Sequence, residues 1–466
     1  MSVVTAAALA PLGWLSIIRL GLVQAALGAV VVLTTSTLNR VMVVELALPA
    51  MLPGALVALH YVVQLLRPRI GHGSDMGGRR TPWIVGGMAT LAFGGAMAAG
   101  ATVLMGTSLV FGVVLAVVAF ILIGLGVGSA GTSLLVLLAK RVEPSRRAAA
   151  ATIVWVMMIF GFAVTAGIAG KLLDPYSSMR LLAVSSGVSV LAFVLALIAI
   201  HGIEGQTVAS PVSQALREAA AGKPSFREAF AEVWSESDAR RFTVFVFISM
   251  LAYSAQDLIL EPFAGSVYGF TPGESTKLSG VQHAGVLAGM ILVAIMGTVF
   301  KGRALGSLRF WTTGGCIASA LAMLALTAAA RGQLPVSLSM AVVALGIANG
   351  AFSIAAIGSM MRLASGGSHA SKDREGMRMG LWGAAQAIAF GFGGFLGTAA
   401  SDLARYLSGS AAVGYGAVFA GEAVLFVVSA AIAFTIGRSP RDRANWPSVN
   451  VSSVGAQQMS GVQQRV

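Results

Sequence analysis

Long apolar runs alternate with short clusters of charge along the whole chain. The runs fall at 14–38, 48–66, 82–104, 110–139, 148–170, 180–201, 242–262, 279–299, 308–330, 335–361, 377–399 and 412–437. A helix that crosses a bilayer needs ~20 mostly apolar residues, so the pattern predicts an all-α membrane protein with twelve transmembrane helices. Only one connection is long, from His201 to Arg241. The expected organisation is a six-helix half at 1–201, a linker at 202–241, a second six-helix half at 242–437 and a polar tail at 438–466.

Composition agrees. The chain is 56% hydrophobic and 11% charged, with a mean hydropathy of +0.84, which excludes an ordinary soluble domain. Its single cysteine, Cys316, excludes an internal disulfide framework. No Cys/His cluster suggests a metal site. The opening stretch MSVVTAAALAPLGW has no basic residue before Arg19, so no cleaved signal peptide is expected.

Charge sets the orientation. Twenty-four Lys and Arg residues lie in the even-numbered connections and the tail, against six (Arg40, Lys171, Arg180, Lys277, Arg331 and Arg405) in the odd-numbered ones. The positive-inside rule therefore predicts both termini and the linker on the cytoplasmic side. The formal charge of +13 then needs no nucleic acid, because basic residues flanking helices face anionic lipid.

The connection between the second and third spans reads RPRIGHGSDMGGRRTPW. Its Gly71, Asp75, Gly78, Arg79 and Arg80 resemble the signature loop of the major facilitator superfamily. That resemblance implies the facilitator fold of two six-helix halves, with the Asp holding the loop beneath the neighbouring domain. The halves echo each other: KRVEPSRR (140–147) and SKDREGMR (371–378) each precede a glycine-bearing span, as parallel repeats would. Proton-coupled members of the superfamily usually carry an Arg in helix 4. Here that stretch is FILIGLGVGSAG, without one, so the interior favours a hydrophobic cargo or no aqueous transport cycle.

A narrower resemblance follows. NRVMVVELALPA (39–50), LPGALVALHYVVQLLRPRIGHGSD (52–75), YSAQDLILEPFAG (253–265) and GLWGAAQAIAFGFGGFLGTAASDLAR (380–405) resemble the PucC/LhaA family of phototrophic bacteria. Within it, the short signature loop is similar to the branch labelled bacteriochlorophyll synthase 44.5 kDa chain. The resemblance implies an assembly factor that delivers or inserts bacteriochlorophyll into light-harvesting antenna polypeptides in an intracytoplasmic photosynthetic membrane, with pigment-synthesis enzymes as further partners. No Asp-rich diphosphate motif and no nucleotide loop is present, so no catalytic residue and no enzyme activity are expected. Two other readings stay open: a secondary transporter of a small amphipathic solute, and a scaffold that touches no pigment.

Four polar residues within spans are candidates for pigment contact: His60 with Gln64 four residues on, and Gln282 with His283. A neutral imidazole nitrogen suits the axial position of a chlorin magnesium; it equally serves as a structural hydrogen-bonding group. Asp257 and Glu261 share one helix face, at a depth similar to Arg40. An Arg40 pairing with either acid would latch the periplasmic side. Solvation by headgroups is the alternative. Glu422, in the twelfth span, has no evident partner. Ser225 to Trp234 in the linker reads as an amphipathic surface helix, with a capping box at Ser225 and Glu228. Gly393 and Gly397 form a GxxxG pair expected to serve internal packing.

Overall fold

The computed structural model describes residues 12–67, 79–143, 146–204, 234–300, 303–333, 337–365 and 375–436. The expected linker helix, the tail and Gly71, Asp75 and Gly78 lie outside the described residues. Eleven helices among them are long and apolar enough to cross a membrane, and a shorter apolar helix, Met51–Leu66, completes the series. In chain order they are α1 (Trp14–Glu45), α2 (Met51–Leu66), α3 (Thr81–Met105), α4 (Leu109–Arg141), α5 (Arg147–Leu172), α6 (Ser178–Ile200), α7 (Ser237–Tyr268), α8 (Pro272–Val299), α9 (Leu308–Ala330), α10 (Leu338–Ser365), α11 (Glu375–Ser408) and α12 (Ala411–Thr435). The protein is a multi-pass membrane protein.

Several helices run past the limits of their apolar cores. α1 continues beyond residue 38 to Glu45 through two π-helical turns, Leu33–Thr37 and Val41–Glu45. Its polar residues stay helical because they find partners on other helices. α8 begins at Pro272 rather than near 279. Thr271 and Glu274 form a reciprocal capping box, with Pro272 in the first turn, where a missing N–H has no consequence. α7 tolerates Pro262 internally and ends on Gly269, whose φ of 70° suits glycine.

Two hydrophobic cores result. One is built from α1 to α6, around Ile17, Leu20, Ile84, Leu91, Ala119 and Leu134. The other is built from α7 to α12, around Phe245, Ile259, Phe263, Leu345, Phe352 and Phe426. The halves meet along two seams, α2 against α11 and α5 against α8, and α1 also touches α7 and α8.

Without water, helices associate through close packing, and small residues permit it. A Cβ on Gly350 of α10 would stand 2.0 Å from the carbonyl oxygen of Val286, and one on Gly289 of α8 would stand 2.1 Å from that of Ile347. Across the α5–α8 seam a Cβ on Gly280 would stand 2.9 Å from the backbone nitrogen of Gly167. The Gly393/Gly397 pair packs inward on Leu251 and Ala255 of α7.

Gly350→Val should therefore destabilise the purified protein by ~1–3 kcal/mol, the usual range for overpacking, read as a lower melting temperature in detergent. Gly297→Ala, whose Cβ meets nothing within 4 Å, should melt with the wild type or above it.

Candidate functional site

The residues that could carry function line the space between the halves, and α1 organises one end of it. Its second half presents Ser36, Thr37, Asn39 and Arg40, all buried. A buried polar group is destabilising unless it is bonded, and each of these reaches the opposite half. The Ser36 hydroxyl lies within bonding reach of the Glu261 carboxylate, and 3.2 Å from Ser279 Oγ. Thr37 and Thr276 share a hydroxyl bond of 3.0 Å. Asn39 donates to the Leu258 carbonyl. Arg40 donates to the Phe270 carbonyl.

The expected ion pair is different. Arg40 pairs with Glu45, not with Asp257 or Glu261. The reason is local: five residues on, across the second π turn, Glu45 meets the guanidinium from the same helix. Glu261 is engaged instead by Ser36, with Thr276 at 3.5 Å. Asp257 accepts from Gln282 at 3.3 Å. Neither oxygen of the buried Glu422 is hydrogen-bonded among the described residues, and its electrostatic neighbour is Asp257. Closure between α1 and the second half is thus made by hydrogen bonds, while the salt bridge stays within α1.

On the face that carries few basic residues, two carboxylates tie the halves at pseudo-equivalent places. Asp174, after α5, accepts from Thr271 Oγ1 and Lys277 Nζ, both at 2.8 Å, at the start of α8. Asp402, on α11, accepts from the Met51 backbone N–H at 2.8 Å, at the start of α2. Each places negative charge at a helix N-terminus, where the helix dipole favours it. On the arginine-rich face, Glu204 accepts from the backbone N–H groups of Arg80 and Thr81. It caps α3 beside the signature arginines, and Arg141 bonds its carbonyl. Sequence reasoning missed all three acids.

The two histidines sit in different surroundings. His60 lies on α2, its backbone carbonyl towards Gly124 of α4 and its ring edge-on to Tyr61, which faces Gly391 of α11. Gln64 Oε1 accepts from Arg67, which turns the Gln64 amide nitrogen towards His60 Nε2, 2.8 Å away. The imidazole lone pair is therefore occupied, and the proton falls on Nδ1, which is buried without a partner among the described residues. His283 lies on α8 at the α5–α8 seam, edge-on to Phe162 with ring centroids 5.0 Å apart. Its Nδ1 stands 2.8 Å from the Ser279 carbonyl oxygen. A carbonyl only accepts, so Nδ1 carries the proton and Nε2 keeps a free lone pair, with no partner among the described residues. A backbone carbonyl that fixes the tautomer in this way is the usual support of a metal-ligating histidine. Gln282, beside it, is committed to Asp257.

An aromatic series crosses from one half to the other. His60 meets Tyr61 at 4.7 Å, Tyr61 meets Phe390 at 5.5 Å, and Phe390 meets Tyr253 at 5.9 Å. The series continues through Phe352 at 6.4 Å to Phe426 at 5.7 Å. Neither the Tyr61 nor the Tyr253 hydroxyl is hydrogen-bonded among the described residues. The α2–α11 seam thus offers the Tyr61 and Phe390 rings, and the α5–α8 seam offers the Phe162 ring and an imidazole nitrogen with no partner among the described residues. Among the described residues no group of three His, Cys, Asp or Glu side chains could hold a metal ion by itself.

The Asp174 tie has a pH signature. Burial pushes its carboxyl up, but bonds from Lys277, Thr271 and the Gly273 backbone outweigh that and hold it below the ordinary 3.8. A depressed carboxyl contributes stability above its unfolded value and loses it as pH falls through the folded one. The melting temperature should fall below pH 3.8, and Asp174→Asn should lack that component while melting lower at pH 7. Equal pH profiles for the two proteins would show that the tie contributes nothing.

Comparison with known proteins places this geometry. The PUCC protein family model matches residues 37–440. The "Bacteriochlorophyll synthase 44.5 kDa chain" of Rhodobacter capsulatus is 54% identical over 423 residues, covering 91% of this chain and 95% of that one. "Protein PucC" of the same organism is 31% identical, covering 90% and 91%. Among solved structures, a D-xylose–proton symporter superposes with a TM-score of 0.68 at 13% identity, covering 90% of this chain and 97% of its own. A nucleoside transporter superposes with a TM-score of 0.62 at 13% identity, covering 91% and 100%. These likenesses show the fold alone, that of the major facilitator transporters. With the family model spanning most of the chain and a relative matching it nearly end to end, this protein belongs to the PucC protein family.

Proposed function

We propose that this protein handles bacteriochlorophyll during assembly of light-harvesting complexes in a photosynthetic membrane, delivering pigment to antenna polypeptides. The observation that carries the reading is His283. It is a buried imidazole with its tautomer fixed and its Nε2 lone pair uncommitted, beside Phe162 in the α5–α8 seam. Such a nitrogen suits the axial position of a chlorin magnesium, and Phe162 stands beside it in the same seam. The names of the relatives support the pigment connection. The family and the transporter-like fold point to a non-enzymatic membrane protein, and "synthase" in one relative's name does not alter that. The charge asymmetry supports cytoplasmic termini, with the arginine-rich face inside.

The two histidines, equivalent by sequence, divide on this reading. His283→Leu should lower bacteriochlorophyll retained per protein by about tenfold or more, since changes even to residues supporting metal ligands reach that range. The long-wavelength absorption band should shift as well. His60→Leu, which removes a nitrogen already bonded to Gln64, should keep most of its pigment. Equal retention in wild type and His283→Leu would remove the ligand role. A wild-type protein that retains no pigment in mild detergent would favour the scaffold reading.

A further inference from the structure

A cleft of about 520 Å³ opens between α7 and α12, lined by Trp234, Arg240, Arg241, Val244, Val428, Ala431, Ile432 and Thr435. Its walls change character along their length. Towards the interior they are apolar: Val244 on one side, and Val428, Ala431 and Ile432 on the other. At the arginine-rich face stand Arg240 and Arg241. Arg241 makes no hydrogen bond or ion pair among the described residues, and Arg240 makes only a 3.4 Å contact to the Trp234 carbonyl. Asp238, one turn earlier in α7, does not line the cleft. A third cation, Arg309, is anchored nearby. It donates to the Phe434 carbonyl and lies 4.8 Å from the centre of the Phe434 ring.

We propose that this cleft binds one anionic phospholipid, its phosphate between Arg240 and Arg241 and the start of an acyl chain along Val244, Val428, Ala431 and Ile432. The apolar wall from Val428 to Thr435 spans two helical turns, ~10 Å at 1.5 Å per residue, and lines the same cleft as the two arginines. The occupant must therefore join an acid to an apolar stem. A partner helix, ~10 Å across, does not fit between two helices that already pack against each other. A zwitterionic lipid would bring its own cation to two unneutralised arginines. Basic pockets between transmembrane helices recognise anionic headgroups by this combination of charge and cleft. The proposal is independent of any pigment role, since it uses neither seam.

The test is native mass spectrometry and thermal melting of the full chain with phosphatidylglycerol or phosphatidylcholine of matched acyl chains. Phosphatidylglycerol should be retained preferentially and should raise the melting temperature. Arg240→Gln with Arg241→Gln should weaken that retention by about fivefold per arginine, about twenty-five-fold for the pair, from the worth of a basic residue near an anionic lipid. Arg331→Gln, an exposed arginine on the opposite face, should leave it unchanged. Should the double variant fail to fold, Val428→Trp blocks the apolar wall and keeps both arginines, and it should lower retention several-fold. The proposal is overturned by equal retention of the two lipids, by a folded double variant or Val428→Trp that binds as the wild type does, or by inorganic phosphate alone reproducing the melting shift.

Discussion

Hydrocarbon offers no hydrogen bonds, and the structure is organised around that constraint. It makes every spanning element a helix, and it makes a polar side chain within a span costly unless it meets another protein group. Ser36, Thr37, Asn39 and Arg40 of α1 meet Glu261, Ser279, Thr276, Leu258 and Phe270. These bonds join the halves because α1 carries its polar residues in its second half, facing α7 and α8. The two π turns accompany that same stretch, and π turns are often found at functional sites.

The same constraint separates the two histidines. Each must bond something, and what it bonds decides what remains. His60 receives a side-chain amide and loses its lone pair. His283 gives its proton to a carbonyl and keeps one. Identical residues at pseudo-equivalent helices thereby acquire different chemistry from one neighbour each. The distinction depends on Arg67 orienting Gln64, so a residue at the helix end governs an imidazole a turn and more away.

Much of this was legible in the sequence. Hydropathy located all twelve helices, and the facilitator fold followed from six plus six and the Gly71–Arg80 spacing. That Gly393 and Gly397 serve internal packing was also readable. Helix ends were harder. Apolarity marks where lipid is, not where hydrogen bonding stops, so α1 and α8 were drawn too short. Pairing was hardest. Arg40 and Glu45 are five residues apart, and the reach between them depends on a π turn that no periodicity announces. Asp174, Asp402 and Glu204 lie at helix ends in stretches that read as connections, and their partners are more than ninety residues away in sequence. Only the fold makes them neighbours.

The glycine contacts between α8 and α10 have a mechanical consequence. Gly285, Gly289, Gly346 and Gly350 bring backbone against backbone along several turns, leaving no flexible side chains between the helices to take up sliding. These two helices must travel as a single stiff lever. A bulky flat molecule therefore has no way between α8 and α10 that leaves those backbone contacts in place.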